Sequence, residues 1–113
     1  MKIHNLDVLG VGLDGETRCA HYRGQRDIIA IKFKCCGGWF PCHECHAEVA
    51  LHAPERWPTD EFDTRAVLCG ACGHQLTVRE YLACGSACPR CGRGFNPGCA
   101  KHAHLYFNLP AIP

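Results

Sequence analysis

Three things are scarce in this sequence, and each scarcity removes a class of protein. No apolar run approaches the roughly 20 residues that a membrane-spanning helix needs. The first residues carry Asp7 and Asp14 within a short, Gly-broken apolar stretch, which is neither a span nor a secretory leader. A Cys-rich chain without a leader reads as cytoplasmic, with reduced thiols, rather than as a secreted disulfide framework. No Lys/Arg cluster breaks the balance of 12 basic and 11 acidic residues. Phosphate binding needs a basic face, so a nucleic-acid partner is disfavoured. Large apolar side chains are also few, and 113 residues cannot bury a sizeable core. Something besides hydrophobic burial must help to hold this fold.

The chain is rich instead in Cys, with 11, and His, with 8. One Zn²⁺ held by four such side chains can contribute about 10–16 kcal/mol of folding free energy, which lets a core be thin. The expected fold class is a small zinc-stabilised α+β protein. It is irregular, with short strands, short helices and zinc knuckles arranged around metal sites. Zinc ligands are thiolates, so nine Cys ligands and three Zn²⁺ lower the formal charge of +1 by about three, which removes any basic character.

Residues 1–18 suggest a short strand or two around a Gly-containing turn, with His4 a surface or packing residue. Asp27 to Lys34 alternates Ile29, Ile31 and Phe33 with Ala30 and Lys32, the period of a half-buried strand. Cys42, Cys45 and His46 fall at i, i+3 and i+4, one face of a helical turn. Residues 53–66, with two prolines and alternating charges, read as a connector between a 19–52 half and a 69–91 half. In the second half Thr77 and Glu80 have capping-box spacing, and Val78, Tyr81 and Leu82 fall on one core-facing side of a short helix. The stretch from Phe95 to Pro113, ending in a tail of residues 105–113, combines a Pro-Gly turn with aromatics that are expected to cover that second half.

The most specific motif is Cys69-Gly-Ala-Cys72-Gly followed by Cys88-Pro-Arg-Cys91-Gly, two C-x-x-C knuckles at zinc-ribbon spacing. Each turns the chain so that two sulfurs face one ion, with a trailing Gly suited to a left-handed backbone. A redox C-x-x-C would sit beside a βαβ unit, and none is visible. The first half supplies eight further ligands in close pairs: Cys19 with His21, Cys35 with Cys36, Cys42 with Cys45, and His46 with His52. Eight ligands make two tetrahedral sites. A cross-braced division puts Cys19, His21, Cys42 and Cys45 on one ion and Cys35, Cys36, His46 and His52 on the other, although Cys35 and Cys36 could equally serve different ions. Cys84, Cys99, His102 and His104 remain. They could build a fourth site, but three ions already take twelve ligands, and isolated Cys and His are common packing residues. His43 and His74 are expected to face solvent.

The run Cys19-Ala-His21-Tyr22, then Cys35-Cys36, then Pro41-Cys42-His43-Glu44-Cys45-His46 and the later His52 resembles the CHY-type zinc finger. The likeness runs from about Cys19 to Cys99 or His102, within an expected domain of residues 19–104, and implies three zinc ions at the positions already named. Members occur alone or fused to a RING-type ubiquitin ligase, and this chain is similar to the stand-alone form. Stand-alone relatives include a mitochondrial intermembrane-space protein that assists assembly of small Tim proteins, and that likeness implies, as the alternative to a protein-binding module, a metal- or thiol-handling factor.

Enzyme readings fare poorly. His46-Ala-Glu48 resembles the H-x-E of zinc deaminases, but the P-C-x-x-C that should follow it precedes it here. Four residues after His43 the metalloprotease signature needs a second His, and Ala47 stands there. Ligands that pair off in fours leave no open position for water, so the zinc is expected to be structural. Glu44 and Glu48 then read as solvated, with Glu44 a candidate partner for a ligand His. The expected function is a non-enzymatic zinc module that binds a protein, without membrane or small-molecule substrate. Trp39, Phe40, Trp57 and Phe62 are either its contact surface or cover for the metal sites.

Overall fold

A computed structural model describes residues 1–96 and 103–107. Its centre is an antiparallel sheet with the order β4-β3-β5-β6, formed by β3 (Ile29–Lys32), β4 (Trp39–Phe40), β5 (Arg65–Cys69) and β6 (Gln75–Thr77). β3 pairs with β5 through Ile29↔Cys69 and Ile31↔Val67, so one sheet runs across both Cys/His-rich stretches. The antiparallel register also sets the metal geometry. The hairpin after β3 carries Cys35 and Cys36, the hairpin after β5 carries Cys69 and Cys72, and the two tips lie at opposite ends of the sheet.

The expected half-buried strand is instead covered on both faces: Ile29, Ala30 and Ile31 are all buried. Ile29 and Ile31 join the main core, whereas Ala30 packs with Ile3, Val8, Trp39 and Leu68. The second face is closed by an N-terminal hairpin of β1 (Lys2–Ile3) and β2 (Leu6–Asp7). Its turn uses His4 and Asn5, both at positive φ, rather than a glycine. Two consecutive left-handed residues give a turn whose twist matches the strands.

Helix α1 (His43–Val49) starts at Cys42, whose sulfur accepts the Cys45 N–H. Helix α2 (Val78–Ala83) carries the complete capping box, with the Thr77 hydroxyl accepting from Glu80 N–H and the Glu80 carboxylate accepting from Thr77 N–H. Val78 and Tyr81 enter the core, but Leu82 is 40% exposed and lies off the predicted face. Tyr81 and Leu82 are adjacent, about 100° apart on a helix, and one turn and a half offers too narrow a stripe for both.

The aromatics near the chain end serve both halves rather than only the second. Phe107 packs on Phe62 and Tyr81, whereas Tyr106 stands edge-on to Phe33 and its hydroxyl accepts the His43 N–H at the start of α1. Trp39, Phe40, Trp57 and Phe62 are all buried, so they form core and not a contact surface. Trp57 donates its indole N–H to the Lys32 carbonyl at 2.7 Å, which ties the connector to the sheet.

Candidate metal centres

Three groups of four Cys and His side chains converge, and in each all ligand atoms lie within 4.8 Å of one another. A tetrahedral ion with Zn–S near 2.3 Å sets sulfurs about 3.8 Å apart. The structure gives 3.7 Å for Cys19–Cys42, 3.8 Å for Cys35–Cys36, 3.8 Å for Cys69–Cys91 and 3.7 Å for Cys72–Cys88. A disulfide would need about 2.05 Å, and the ten Cys among the described residues are free thiols. The spacing fits a metal ion between the sulfurs.

The first centre gathers Cys19, His21, Cys42 and Cys45. His21 Nδ1 points inward, 3.4 Å from Cys45 Sγ and 3.5 Å from Cys42 Sγ. Its outer nitrogen, Nε2, lies 3.0 Å from Glu48 Oε1. A carboxylate behind a ligating imidazole fixes the tautomer and raises the basicity of the ring. Glu48 therefore fills the place expected for Glu44, whose carboxylate is 3.9 Å from Nδ1. The helix decides this: Glu48 lies one turn beyond Glu44 and reaches the outer edge of the ring.

The second centre gathers Cys35, Cys36, His46 and His52. Consecutive ligands on α1 thus serve different ions, Cys45 the first and His46 the second. His46 is buried, stacked on Phe33 with centroids 4.2 Å apart, and its Nε2 lies 3.2 Å from Cys35 Sγ. Burial, and then the neighbouring His52, hold the His46 imidazole below its usual pKa, which keeps a lone pair free for a metal. His52 is exposed, with Nε2 3.2 Å from Cys35 Sγ.

The third centre gathers Cys69, Cys72, Cys88 and Cys91. Its two knuckles are built alike. Gly73 and Gly92 have φ of 85° and 78°, their N–H groups donate to the Cys69 and Cys88 carbonyls at 2.9 Å, and Cys69 and Cys88 donate to His74 and Arg93. A left-handed glycine after the second Cys lets each chain turn back without a Cβ clash.

Burial pushes the Cys42 and Cys69 thiols well above their usual pKa, and nearby thiols add to this. For Cys19 burial also acts upward, but hydrogen bonds from the Tyr22 and His21 backbones and from the His21 and Cys42 side chains together lower the thiol. Cys88 falls likewise in the third centre, so in each of these two clusters one thiol is eased toward ionisation while its neighbours are held back. A divalent cation supplies the charge that holds several thiolates together.

The structure brings together all twelve sequence-derived candidates in the cross-braced grouping. Cys84 and His104 join no donor cluster among the described residues; the Cys84 thiol donates to the Tyr81 carbonyl at 3.1 Å. Cys99 and His102 lie outside the described residues. His43 and His74 are half-buried rather than solvent-facing, His43 against Tyr106 and His74 3.7 Å from Glu80. His4 has a role its sequence context did not signal: its Nε2 is 2.7 Å from the Gly70 carbonyl inside the first knuckle.

A short sheet flanked by three Cys/His tetrads defines a small zinc-finger protein, each tetrad able to hold a Zn²⁺. A family model for the CHY zinc finger matches residues 19–81, and the chain belongs to that family. It is 41% identical over 106 residues to Helper of Tim protein 13 of Saccharomyces cerevisiae, covering 91% of each chain. It is 39% identical to Helper of Tim protein 13 of Kluyveromyces lactis, covering 88% of this chain and 87% of that one. An uncharacterized Schizosaccharomyces pombe protein is also 39% identical, over 89% of this chain and 88% of its own. No solved structure matches the chain.

Proposed function

We propose that the chain is a helper of Tim proteins: a non-catalytic module, held by zinc, that acts by binding protein partners. The observation that carries this reading is the likeness to Helper of Tim protein 13 of two yeasts, which runs over nearly all of each chain. Donor sets of four support the absence of catalysis, since a full tetrahedral shell leaves no position for substrate or activated water.

The test is replacement. A Saccharomyces cerevisiae strain lacking its Helper of Tim protein 13 would express this chain, and assembled Tim complexes would be read on native gels. Restored assembly is expected; failure at a level where the yeast protein restores it would sink the proposal. Fractionation of the same strain addresses location. The cytoplasm expected from the sequence and a place beside the Tim proteins are alternatives, and only the second suits this role.

A second reading, metal handling, is favoured by one observation. The second centre has two exposed ligands, Cys36 and His52, whereas the first has none.

A further inference from the structure

The three centres differ in how firmly the fold holds their ligands. In the first, three of four ligands are buried and the fourth, His21, is anchored by Glu48. In the third, all four sit in knuckles closed by backbone hydrogen bonds. The second has one ligand of a different kind. Cys35 and Cys36 lie in the β3–β4 hairpin, which is closed by the Phe33 and Gly38 backbones at 2.9 Å, and His46 is clamped in α1 against Phe33. His52 belongs to no helix or strand. It follows Leu51, which has φ of 56° and is 87% exposed. Its Nδ1 donates to the carbonyl of Ala50, the residue that caps α1 two positions away, at 2.9 Å, a short-range bond to the end of its own helix rather than to another element of the fold. Beside it is an open hollow of about 560 Å³, lined by Phe33, His46, Leu51, His52, Pro54 and Leu105.

We infer that the Cys35–Cys36–His46–His52 centre is the exchangeable one: His52 is its detachable ligand, and zinc passes there to or from a thiol-bearing acceptor while the other two ions hold the fold. His52 is also the right donor to leave. It is neutral, so its departure separates no charge from the cation, unlike loss of a thiolate. In the transfer step the His52 Nε2–Zn bond breaks and an acceptor S–Zn bond forms, the acceptor's thiol proton passing to water. Repetition at the remaining ligands, with Cys35 and Cys36 each taking a proton from water or from an incoming thiol as its S–Zn bond breaks, completes the handover with no oxidation or reduction. The inference deepens the metal-handling reading and assumes zinc in all three centres; it is independent of the Tim proposal.

The donor sets make the centres distinguishable, because they offer three sulfurs with one nitrogen, two with two, and four with none. Cobalt-loaded protein therefore shows three ligand fields. The protein, loaded first with zinc and separately with cobalt, is mixed with dithiothreitol, and released zinc is read with a chromogenic chelator while amide NMR follows the fold. One ion of three is expected to leave at least about tenfold faster than the rest, with loss of the two-sulfur cobalt signal from a still-folded chain. His52→Cys should abolish the fast phase by adding a third thiolate, and His104→Ala, outside every centre, should leave it intact. Three ions leaving together, a first loss from the three- or four-sulfur centre, or a fast phase unchanged in H52C would overturn the inference. A starting protein with two ions and no two-sulfur signal would overturn it at its premise, and the Tim proposal would still stand.

Discussion

His21 and Glu48, 27 positions apart, meet through a 3.0 Å contact between the outer imidazole nitrogen and a carboxylate oxygen, while the inner nitrogen faces three sulfurs. A loop ligand is thereby fastened to a helix whose own Cys42 cap and Cys45 belong to the same centre.

Removal of this anchor should be felt by the metal before it is felt by the fold. Glu48→Ala is expected to weaken zinc at the first centre by about 10–100-fold, the usual effect of losing a partner behind a ligating His. Glu44→Ala, altering a carboxylate 3.9 Å from the ring, should do much less. Competition with a chelator of known affinity, following the three-sulfur cobalt band, measures both. Equal effects would show that the contact does not orient the ring.

Gly70 is confined by backbone rather than by side chains. Its N–H donates to the Ile28 carbonyl at 2.6 Å, and a Cβ there would run into the Glu16 carbonyl and come within 2.8 Å of the Ile28 carbonyl. Neither can swing aside as a side chain would. Gly70→Ala should therefore destabilise the zinc-loaded protein by about 1–3 kcal/mol, as overpacking does. Gly85→Ala is a useful contrast, since a Cβ there meets nothing and only the positive φ is strained. Urea unfolding of the two zinc-loaded variants ranks them.

What could be read from the sequence was what is written in local spacing. The knuckles, the capping box and the pairing of ligands all depend on residues within a few positions of one another, and close ligand pairs that alternate along a chain leave few ways to interleave. What could not be read depends on contacts across the chain. That Ala30 is buried follows from an N-terminal hairpin folding over it, 22 or more positions away. Glu48 rather than Glu44 backs His21 because of where α1 presents its side of the turn. His4 supports the Gly70 carbonyl 66 positions away, and no local pattern carries that. The four aromatics fit core or surface equally until the sheet places them.

The capping box at α2 is a local device whose contribution can be isolated. Thr77 lies at the junction of β6 and α2, and its hydroxyl accepts the Glu80 N–H at 3.0 Å. Thr77→Ala should cost about 1 kcal/mol, and Thr77→Ser, which keeps the acceptor, much less. Chemical denaturation in excess zinc gives both values. An alanine variant as stable as the parent would show that β6 pairing alone sets the helix start.

Metal removal tests how much of the fold is made by the ions. The core has only four short strands across the central sheet and two helices of under two turns among the described residues. Domains of ordinary size are stable by about 5–15 kcal/mol in total, which is no more than a single structural zinc can supply. Stripping all three ions removes the links between the ligand side chains and leaves a core too small to close alone. The metal-free chain should then lose its fold at neutral pH. Trp39 and Trp57, both buried, report this directly through a red shift of their fluorescence on addition of a strong chelator, reversed when zinc is restored. An unshifted spectrum with full zinc loss would mean that packing alone sustains the sheet.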